Sequence, residues 1–413
     1  CAVVVGGTAV CWGSNTYGEL GNRTTVDSST PVVVAGLSGA VAVAAGFHHS
    51  CALLANGSAK CWGWNSWGQL GSGIPTDSIK PVKVSGLSHA VAITAFNNHT
   101  CALVANGTAK CWGYNYYGEL GVGSNAISFT VATTVLGVKS ATGIAAGGYH
   151  SCAVLANGTA KCWGQNNHGQ LGNGTTSATT TAVAVSGLTS ATRIVAGQEH
   201  TCASLADGTV KCWGADNVGQ LGNSTLSPTV TTPATATGLA ATIALAAGNE
   251  HTCALAADGT ASCTGQNNVG QLGDGSPFDA STPQAVTGIA GGTAARAVSA
   301  GGHSTCALIA NGTVKCWGSN SNGQLGNGTN TNSKSAVAVT GLTNAVAIAV
   351  GLQHACALLA DGTVKCWGSN VTGQLGNGTN TNSTVPVAVS GVTRSEEHTS
   401  ELQSRFGISY AVF

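Results

Sequence analysis

The sequence predicts an all-β protein, a seven-bladed β-propeller with four-stranded antiparallel blades of about 50 residues. Three observations lead to this prediction. The sixteen cysteines form eight pairs of identical spacing, C-x9-C, and successive pairs begin 50 to 53 residues apart. Each repeat contains four short runs rich in Val, Ala, Ile and Cys, and turn residues separate these runs. Strand-rich repeats of this length are typical of propeller blades.

The four strands can be followed in one repeat, residues 81–121. The β-prone runs cover 81–86, 90–95, 101–105 and 108–113, with Gly, Asn, Ser or His between them. Strands spaced near ten residues apart with such turns are typical of all-β folds. No segment has the periodicity of an amphipathic helix, and no apolar run is long enough to span a membrane. We therefore expect no membrane insertion.

The third and fourth strands form a hairpin whose register follows from the cysteine spacing. The midpoint of the Cys51 to Cys61 interval is Asn56, the centre of a three-residue loop that has Gly57 in the left-handed region. This loop places Cys51 opposite Cys61 in a non-hydrogen-bonded pair, where Cα atoms are roughly 4.5 Å apart. A disulfide tolerates that separation.

The same arithmetic predicts one disulfide in each of the eight hairpins. The predicted pairs are Cys1 with Cys11, Cys51 with Cys61, Cys101 with Cys111, Cys152 with Cys162, Cys202 with Cys212, Cys253 with Cys263, Cys306 with Cys316, and Cys356 with Cys366. Two alternatives stay open at this point. The cysteines could be free and buried, since they pack as small hydrophobic residues, or they could bind zinc.

A histidine lies two residues before most of the first cysteines and could add a metal ligand. These histidines are His49, His99, His150, His200, His251 and His354. One His and two Cys per repeat is one ligand short of a structural zinc site, and the hairpin would have to open to surround a metal. We therefore predict no metal, and we expect the histidines to hydrogen-bond the backbone at the turn into the third strand.

The recurring motif H-T-C-A-L-x-A-[ND]-G-T-[AV]-K-C-W-G-x-N-x-x-G-[QE]-L-G resembles the repeat of the regulator of chromosome condensation family, a seven-bladed propeller. The resemblance covers residues 1–393; the second half of the motif recurs eight times, and in one copy Thr264 replaces Trp. Intracellular members carry ordinary strand residues at the cysteine positions. Paired cysteines therefore indicate an oxidising, extracytoplasmic location, either secreted or on the cell surface. We expect a bacterial, secreted type of member of the family.

The repeats divide residues 1–393 into units of a single propeller. A partial unit, 1–30, is followed by full units 31–80, 81–129, 130–179, 180–231, 232–281, 282–334 and 335–384, and by an orphan strand, 385–393. The two incomplete ends either complete an eighth blade or overhang a seven-bladed ring. Because the chain begins in mid-unit, we expect it to be a fragment. Residues 394–413 lack the repeat pattern and resemble a translated sequencing adapter, so we interpret them as a non-native tail.

Composition narrows the classes of function. Without the tail, the sequence has 13 Lys and Arg residues and 12 Asp and Glu residues, and it has no basic stripe. Electrostatic binding of nucleic acid is therefore not expected. No nucleophile with a base, pair of acidic residues or phosphate-binding loop before a helix is found, so we predict no enzyme and no cofactor.

Aromatic residues give the clearest functional signal. Eleven remain when the Cys-Trp-Gly tryptophans and the tail are set aside: Tyr17, Phe47, Trp64, Trp67, Phe96, Tyr114, Tyr116, Tyr117, Phe129, Tyr149 and Phe278. All fall in loops that up-and-down strands bring to one face of the disc. Local packing is the alternative explanation, above all for Phe47 and Phe96. The predicted protein-binding residues are Tyr17, Trp64, Trp67, Tyr114, Tyr116, Tyr117 and Tyr149.

The expected function is a non-enzymatic platform that binds an unidentified protein partner through this face, as a monomer. The resemblance supports it, because some bacterial propellers of the family bind and inhibit secreted enzymes through one face. The resemblance also implies an alternative, guanine-nucleotide exchange, which is the activity of the family's namesake. A structural module of the cell surface is a third possibility.

Overall fold

The computed structural model describes residues 1–289 and 294–392, and in this part of the chain 31 strands form eight antiparallel sheets. Each sheet is one blade, and its strands follow one another in chain order. The first strands of successive blades contact each other around the axis of the ring. The last strand of each four-stranded blade is therefore the outer one.

Blade 1 comprises β1 (Ala2–Val4), β2 (Thr8–Gly13) and β3 (Ser28–Val33). Blade 2 comprises β4 (Ala40–Ala45), β5 (His49–Leu54), β6 (Ala59–Gly63) and β7 (Ser78–Lys83). Blade 3 comprises β8 (Ala90–Phe96), β9 (His99–Val104), β10 (Ala109–Tyr114) and β11 (Ser128–Thr134). Blade 4 comprises β12 (Ala141–Ala146), β13 (His150–Leu155), β14 (Ala160–Gly164) and β15 (Thr179–Ala184).

Blade 5 comprises β16 (Ala191–Ala196), β17 (His200–Leu205), β18 (Val210–Asp216) and β19 (Ser227–Thr235). Blade 6 comprises β20 (Thr242–Ala247), β21 (His251–Ala256), β22 (Ala261–Gly265) and β23 (Ala280–Ala285). Blade 7 comprises β24 (Ala295–Ala300), β25 (Ser304–Ile309), β26 (Val314–Gly318) and β27 (Ser333–Ala338). Blade 8 comprises β28 (Ala345–Val350), β29 (His354–Leu359), β30 (Val364–Gly368) and β31 (Ser383–Ala388).

The prediction of seven blades is wrong, because the described residues form eight sheets. The sequence units and the blades are offset by one strand. The strand at the start of each full sequence unit is the outer strand of the preceding blade, as β3 and β7 show. With this offset, the N-terminal partial unit supplies β1 and β2 of blade 1, β3 spans its boundary with the next unit, and β31 completes blade 8 by pairing with β30.

The ring closes through contacts between the first and last blades. The Trp12 indole donates a hydrogen bond to the backbone oxygen of Gln374 at 2.8 Å, and the Gly378 amide donates one to Ser29 at 2.7 Å. Ala2 and Trp12 also share a buried cluster with residues of blade 8, among them Val389. Every blade therefore has a packed neighbour on both sides.

The predicted hairpins and all eight disulfides form. Gly57 has a φ of 75°, and Cys51 pairs directly with Cys61 across β5 and β6. Across the eight bridges the Cα atoms are 3.9 to 4.1 Å apart. The described residues contain no free cysteine. Eight intrachain disulfides point to an oxidising, extracytoplasmic environment.

Tryptophan side chains join neighbouring blades. The Trp112 indole of blade 3 is fully buried and donates a hydrogen bond to the backbone oxygen of Gln69 in blade 2 at 2.9 Å. The same bond recurs from Trp62 to Glu19 and around most of the ring. In blade 6 the Thr264 hydroxyl takes the place of the indole and lies 2.8 Å from the backbone oxygen of Gly219.

The recurrent histidines also join blades, and the prediction that they bind backbone at the turn is wrong. His150 Nε2 of blade 4 lies 2.9 Å from the Thr201 hydroxyl of blade 5, which itself lies 3.0 Å from the backbone oxygen of Gln170. Because that hydroxyl donates to the carbonyl, the imidazole donates to the hydroxyl. Equivalent contacts extend from His49, His99, His200 and His251 to the next blade.

Within the described residues, no helix could cross a membrane.

Candidate protein-binding surface

In every four-stranded blade except blade 5, the loop between the third and fourth strands is held by a buried asparagine. In blade 2, Asn65 Oδ1 accepts the Leu70 amide at 2.8 Å, and Nδ2 donates to the backbone oxygens of Ile74 and Thr76 at 2.7 and 2.9 Å. The same set of bonds recurs at Asn115. These bonds fix the loop without help from the residues beside the asparagine, which are therefore free to vary.

Blade 5 carries Asp216 at the position of this asparagine. Its Oδ1 accepts the Leu221 amide at 3.0 Å, and its Oδ2 accepts the Thr225 hydroxyl at 3.4 Å. A carboxylate cannot donate to the backbone oxygens that the amide of asparagine binds in the other loops. Burial raises the pKa of Asp216 to about 6.

Asp216→Asn is expected to stabilise the protein by about 1–3 kcal/mol at pH 8, since it restores donors to a buried position. The gain over wild type should shrink towards pH 4. Because the pKa of Asp216 is raised in the folded state, the folded wild-type protein holds this proton more tightly than the unfolded chain. Wild type is therefore penalised only as the pH rises and Asp216 loses its proton. Denaturant unfolding at both pH values measures this. Asn267→Asp in blade 6 is the matched control and should destabilise the protein at pH 8; equal stability of wild type and Asp216→Asn there would contradict the prediction.

The loops that hold the aromatic residues lie on one face of the ring. Antiparallel strand order brings the first-to-second turns and the third-to-fourth loops of every four-stranded blade to the same side, and the corresponding loop of blade 1 connects β2 to β3. Trp64 and Trp67 lie in the third-to-fourth loop of blade 2, and Tyr114, Tyr116 and Tyr117 in or at the start of that of blade 3. These loops therefore connect strands within a blade, and do not join one blade to the next.

The aromatic rings form two clusters, each defined by ring contacts. In the first cluster, Tyr17 of blade 1 lies 5.9 Å from Trp64 and 5.0 Å from His48 of blade 2, and His48 lies 4.6 Å from Phe47 (ring centroids). His48 Nδ1 also lies 3.3 Å from Glu19 Oε1. The sequence analysis did not select His48, although it directly precedes the recurrent histidine.

The second cluster extends over blades 2, 3 and 4. Trp67 lies 5.1 Å from Tyr114, whose ring is nearly parallel to Tyr116 at 6.3 Å with an interplanar angle of 13°. Tyr117 lies 4.9 Å from Tyr116 and 5.5 Å from Tyr149. The structure therefore places all seven predicted binding residues in the two clusters. We call the two clusters together the aromatic surface.

The remaining aromatic residues behave differently. Phe129 is half-buried and packs against a buried cluster of residues from blades 3 and 4, so it contributes to the core. Phe278 is 74% exposed but lies in blade 6. Phe47 and Phe96 line a cavity of about 540 Å³ that residues of blades 2, 3, 5, 6 and 8 surround. Of the seven predicted binding residues, Tyr116 is 62% exposed and the others are half-buried.

Buried polar atoms without partners lie in the same loops as the aromatic surface. Among the described residues, Gln69 Nε2 and Glu119 Oε1 have no hydrogen-bond partner. In blades 6 and 7 the equivalent amides donate to Gln266 Oε1 at 2.9 Å and to Ser319 Oγ at 3.3 Å. Trp64 and Tyr114 occupy the positions of those acceptors in blades 2 and 3. In blade 2, Trp64 therefore replaces the acceptor that the Gln69 amide would need.

The cysteine and histidine side chains of the repeat have structural roles in the described residues. No group of three or more His, Cys, Asp or Glu side chains in this part of the chain could hold a metal ion. The cysteines are oxidised, and burial lowers the pKa of His49, His150 and His251 to about 3. These histidines are neutral at pH 7 and are engaged in contacts between blades.

Comparison with protein families identifies the repeat. The RCC1-like domain matches residues 128–412, and the regulator of chromosome condensation (RCC1) repeat matches residues 7–53 and 56–103. A second description of the RCC1 repeat matches residues 40–69 and 97–119.

Individual relatives resemble parts of the chain or its fold. The human probable E3 ubiquitin-protein ligase HERC3 is 46% identical over 80 residues, which are 19% of this chain and 8% of that relative's length. Prp20p of Saccharomyces cerevisiae, solved in a study of its binding to Gsp1p and histones, is 19% identical with a TM-score of 0.64, covering 94% of this chain and 87% of that one. Human WBSCR16 is 19% identical with a TM-score of 0.65, covering 93% and 94%. At these identities, the two structures show a shared fold.

Proposed function

We propose that this chain, which belongs to the regulator of chromosome condensation (RCC1) repeat family, is a non-enzymatic platform that binds a protein partner through its aromatic surface. The observation that carries the proposal is the clustering of Tyr, Trp and His rings on adjoining loops of one face. Tyr and Trp are enriched among the residues that dominate binding energy at protein interfaces.

The fold does not require these rings. The loop is fixed by its buried asparagine, and the positions of Trp64 and Trp67 are occupied by Ser319 and Asn322 in blade 7, with the same loop bonds retained. Replacing a polar acceptor by an aromatic ring leaves a buried polar atom unpaired, which costs about 1–3 kcal/mol. A residue that lowers stability in this way is better explained by recognition than by packing.

The disulfides support a location outside the cytoplasm, either secreted or on the cell surface. A partner would then be another extracytoplasmic protein. Guanine-nucleotide exchange, by relation to the family's namesake, is the alternative activity, and acceleration of nucleotide release from Ran by the oxidised propeller would support it. No residue of the aromatic surface favours that activity over plain binding.

The test is the affinity for a partner captured from extracytoplasmic proteins of the source organism on the oxidised chain and then purified. Tyr116→Ala is expected to weaken binding by about 2 kcal/mol or more, because the exposed ring lies between two other rings of its cluster. Trp67→Ala should weaken it similarly. Calorimetric titration gives both values.

The matched control is Val371→Ala. Val371 occupies the position of Tyr116 in the loop of blade 8 and is 66% exposed, so its removal tests the loss of an exposed apolar side chain away from the aromatic surface. The affinity of Val371→Ala for the partner should equal that of wild type. If Tyr116→Ala and Val371→Ala bind the partner as tightly as wild type, the aromatic surface is not the interface. Thermal unfolding checks that each variant is folded.

A further inference from the structure

Glu119 is a buried carboxylate within the second aromatic cluster. Its side chain has no exposed surface, and its Oε2 accepts the backbone amide of Tyr117 at 2.8 Å. Its Oε1 is buried without a hydrogen-bond partner among the described residues. Burial raises the pKa of Glu119 to about 7. A buried charged oxygen with no partner is unfavourable and needs an explanation.

Comparison with blade 1 shows what is missing. Glu19 holds the equivalent position, and its Oε2 accepts the Tyr17 amide at 2.8 Å in the same way. Its Oε1, however, lies 3.3 Å from His48 Nδ1 of the next blade. In the next blade after Glu119, the residue at the position of His48 is Tyr149. Glu119 therefore lacks the basic nitrogen that Glu19 has.

The fold does not need a carboxylate at this position. Six of the eight loops have glutamine there: Gln69, Gln170, Gln220, Gln271, Gln324 and Gln374. Gln170, Gln271 and Gln324 accept the amide two residues earlier through Oε1, just as Glu119 does through Oε2. The negative charge is thus an addition to a loop that folds with a neutral side chain.

The surroundings of Glu119 suit a cation. Burial, followed by the nearby charge of Glu119, raises the pKa of Tyr114, which places the carboxylate close to this ring. Tyr114 belongs to a run of rings that also includes Trp67, Tyr116, Tyr117 and Tyr149. The faces of Trp and Tyr rings attract ammonium and guanidinium groups within about 6 Å of their centroids. No ion pair to Glu119 is found in the described part of the chain.

We infer that the second aromatic cluster and Glu119 form a receptor site for a cationic side chain, lysine or arginine, presented by the protein partner. The cation would contact the ring faces, and the charge of the buried Glu119 carboxylate would attract it. This inference rests on the proposed function and deepens it, since it specifies the chemistry that the partner brings to this part of the aromatic surface. An anionic residue would be repelled by the carboxylate, and an aliphatic residue would not be attracted to it.

The experiment titrates the oxidised full chain with three capped tripeptides, acetyl-Gly-Lys-Gly-amide, acetyl-Gly-Arg-Gly-amide and the neutral acetyl-Gly-norleucine-Gly-amide. NMR of the protein with carbon-13 in the glutamate carboxyl groups and tyrosine rings reports binding. The lysine or the arginine peptide, or both, should shift the Tyr114 and Tyr149 signals saturably and lower the pKa of Glu119 by at least one unit. The norleucine peptide should bind at least tenfold more weakly, and whichever cationic peptide binds more tightly identifies the preferred group.

Glu119→Gln is the decisive variant, because glutamine is the residue of six other loops and the protein should stay folded. It should bind the cationic peptides at least tenfold more weakly. Glu19→Gln, the matched control, should leave the signals of the second cluster and its affinity unchanged. The inference is overturned if neither cationic peptide gives a saturable shift, if norleucine binds equally well, or if Glu119→Gln binds as wild type does. The affinity of Tyr116→Ala for the identified partner tests the protein-binding proposal separately.

Discussion

Reduction of the eight disulfides is expected to unfold the propeller. Each bridge closes a short loop, and such a loop contributes about 2–3 kcal/mol by restricting the unfolded chain. Domains have a total stability of about 5–15 kcal/mol, so losing all eight bridges, about 16–24 kcal/mol, would exceed it. The blade cores offer little compensation, because they consist largely of Ala, Val and Cys side chains with one Trp in most blades.

The measurement compares refolding with and without reductant. The chain is unfolded in guanidinium chloride with dithiothreitol, its thiols are alkylated, and the denaturant is removed; near-ultraviolet circular dichroism and tryptophan fluorescence then report the packed Trp side chains. The control is the oxidised chain carried through the same steps. Native signals from the fully alkylated chain at 25 °C would show that the bridges are dispensable. Because all the bridges are buried, reduction of the folded protein should be slow without denaturant.

The features that the sequence predicts well are local. The register of a hairpin depends on about ten residues, and the Asn-Gly loop and the cysteine spacing define it without knowledge of the remaining fold. The position of the aromatic residues on one face is also local, since it follows from the up-and-down order of strands within a blade. These are short-range consequences of chain geometry.

The number of blades could not be predicted in this way, because it depends on which distant residues meet. Closure of the ring brings Trp12 to Gln374. The rotation from one blade to the next differs by only a few degrees between a seven-bladed and an eight-bladed ring. The repeat itself looks the same in both cases. The offset between sequence units and blades also depends on strand pairing, because β3 pairs with β2 of blade 1 and not with a strand of the sequence unit that it opens.

Contacts between blades were the other source of error. The histidines were expected to bind backbone in their own turn, but their partners are hydroxyls about 50 residues further on. A signal was present in the repeat, since the residue after each histidine is Ser or Thr in most blades and could be recognised as the partner of the preceding blade's histidine. Glu119 was missed because its role depends on Tyr149, which belongs to the next blade.

Acidification is expected to destabilise the propeller steeply below about pH 6.5. Burial lowers the pKa of His49, His150 and His251 to about 3, and that of His99 and His200 to about 4. In the unfolded chain these histidines titrate near 6.5. Below that pH the unfolded state binds more protons than the folded state, so stability is greatest above pH 6.5 and is lost as the pH falls towards 4. Each histidine lowers the free energy of unfolding by up to about 1.4 kcal/mol for each pH unit of acidification.

Two carboxyl groups oppose this trend without reversing it. Burial raises the pKa of Glu119 to about 7 and that of Asp216 to about 6, so the folded state holds their protons more tightly and they favour folding as the pH falls. With five histidines against two carboxyl groups, a net loss of several kcal/mol is expected between pH 7.5 and pH 5. Guanidinium chloride unfolding at steps of half a pH unit measures it.

The chain supplies its own control for the acid effect, because blade 7 carries Ser304 at the position of the histidine. His200→Ser should therefore fold, losing only the contact with Thr252 at pH 8. Since it removes one of the five groups that take up a proton on unfolding, the slope of stability against pH should fall by about 1.4 kcal/mol per pH unit between pH 6 and pH 5. Stability that stays level from pH 7.5 to pH 5, or a slope that His200→Ser leaves unchanged, would mean that the buried histidines do not control the response to acid.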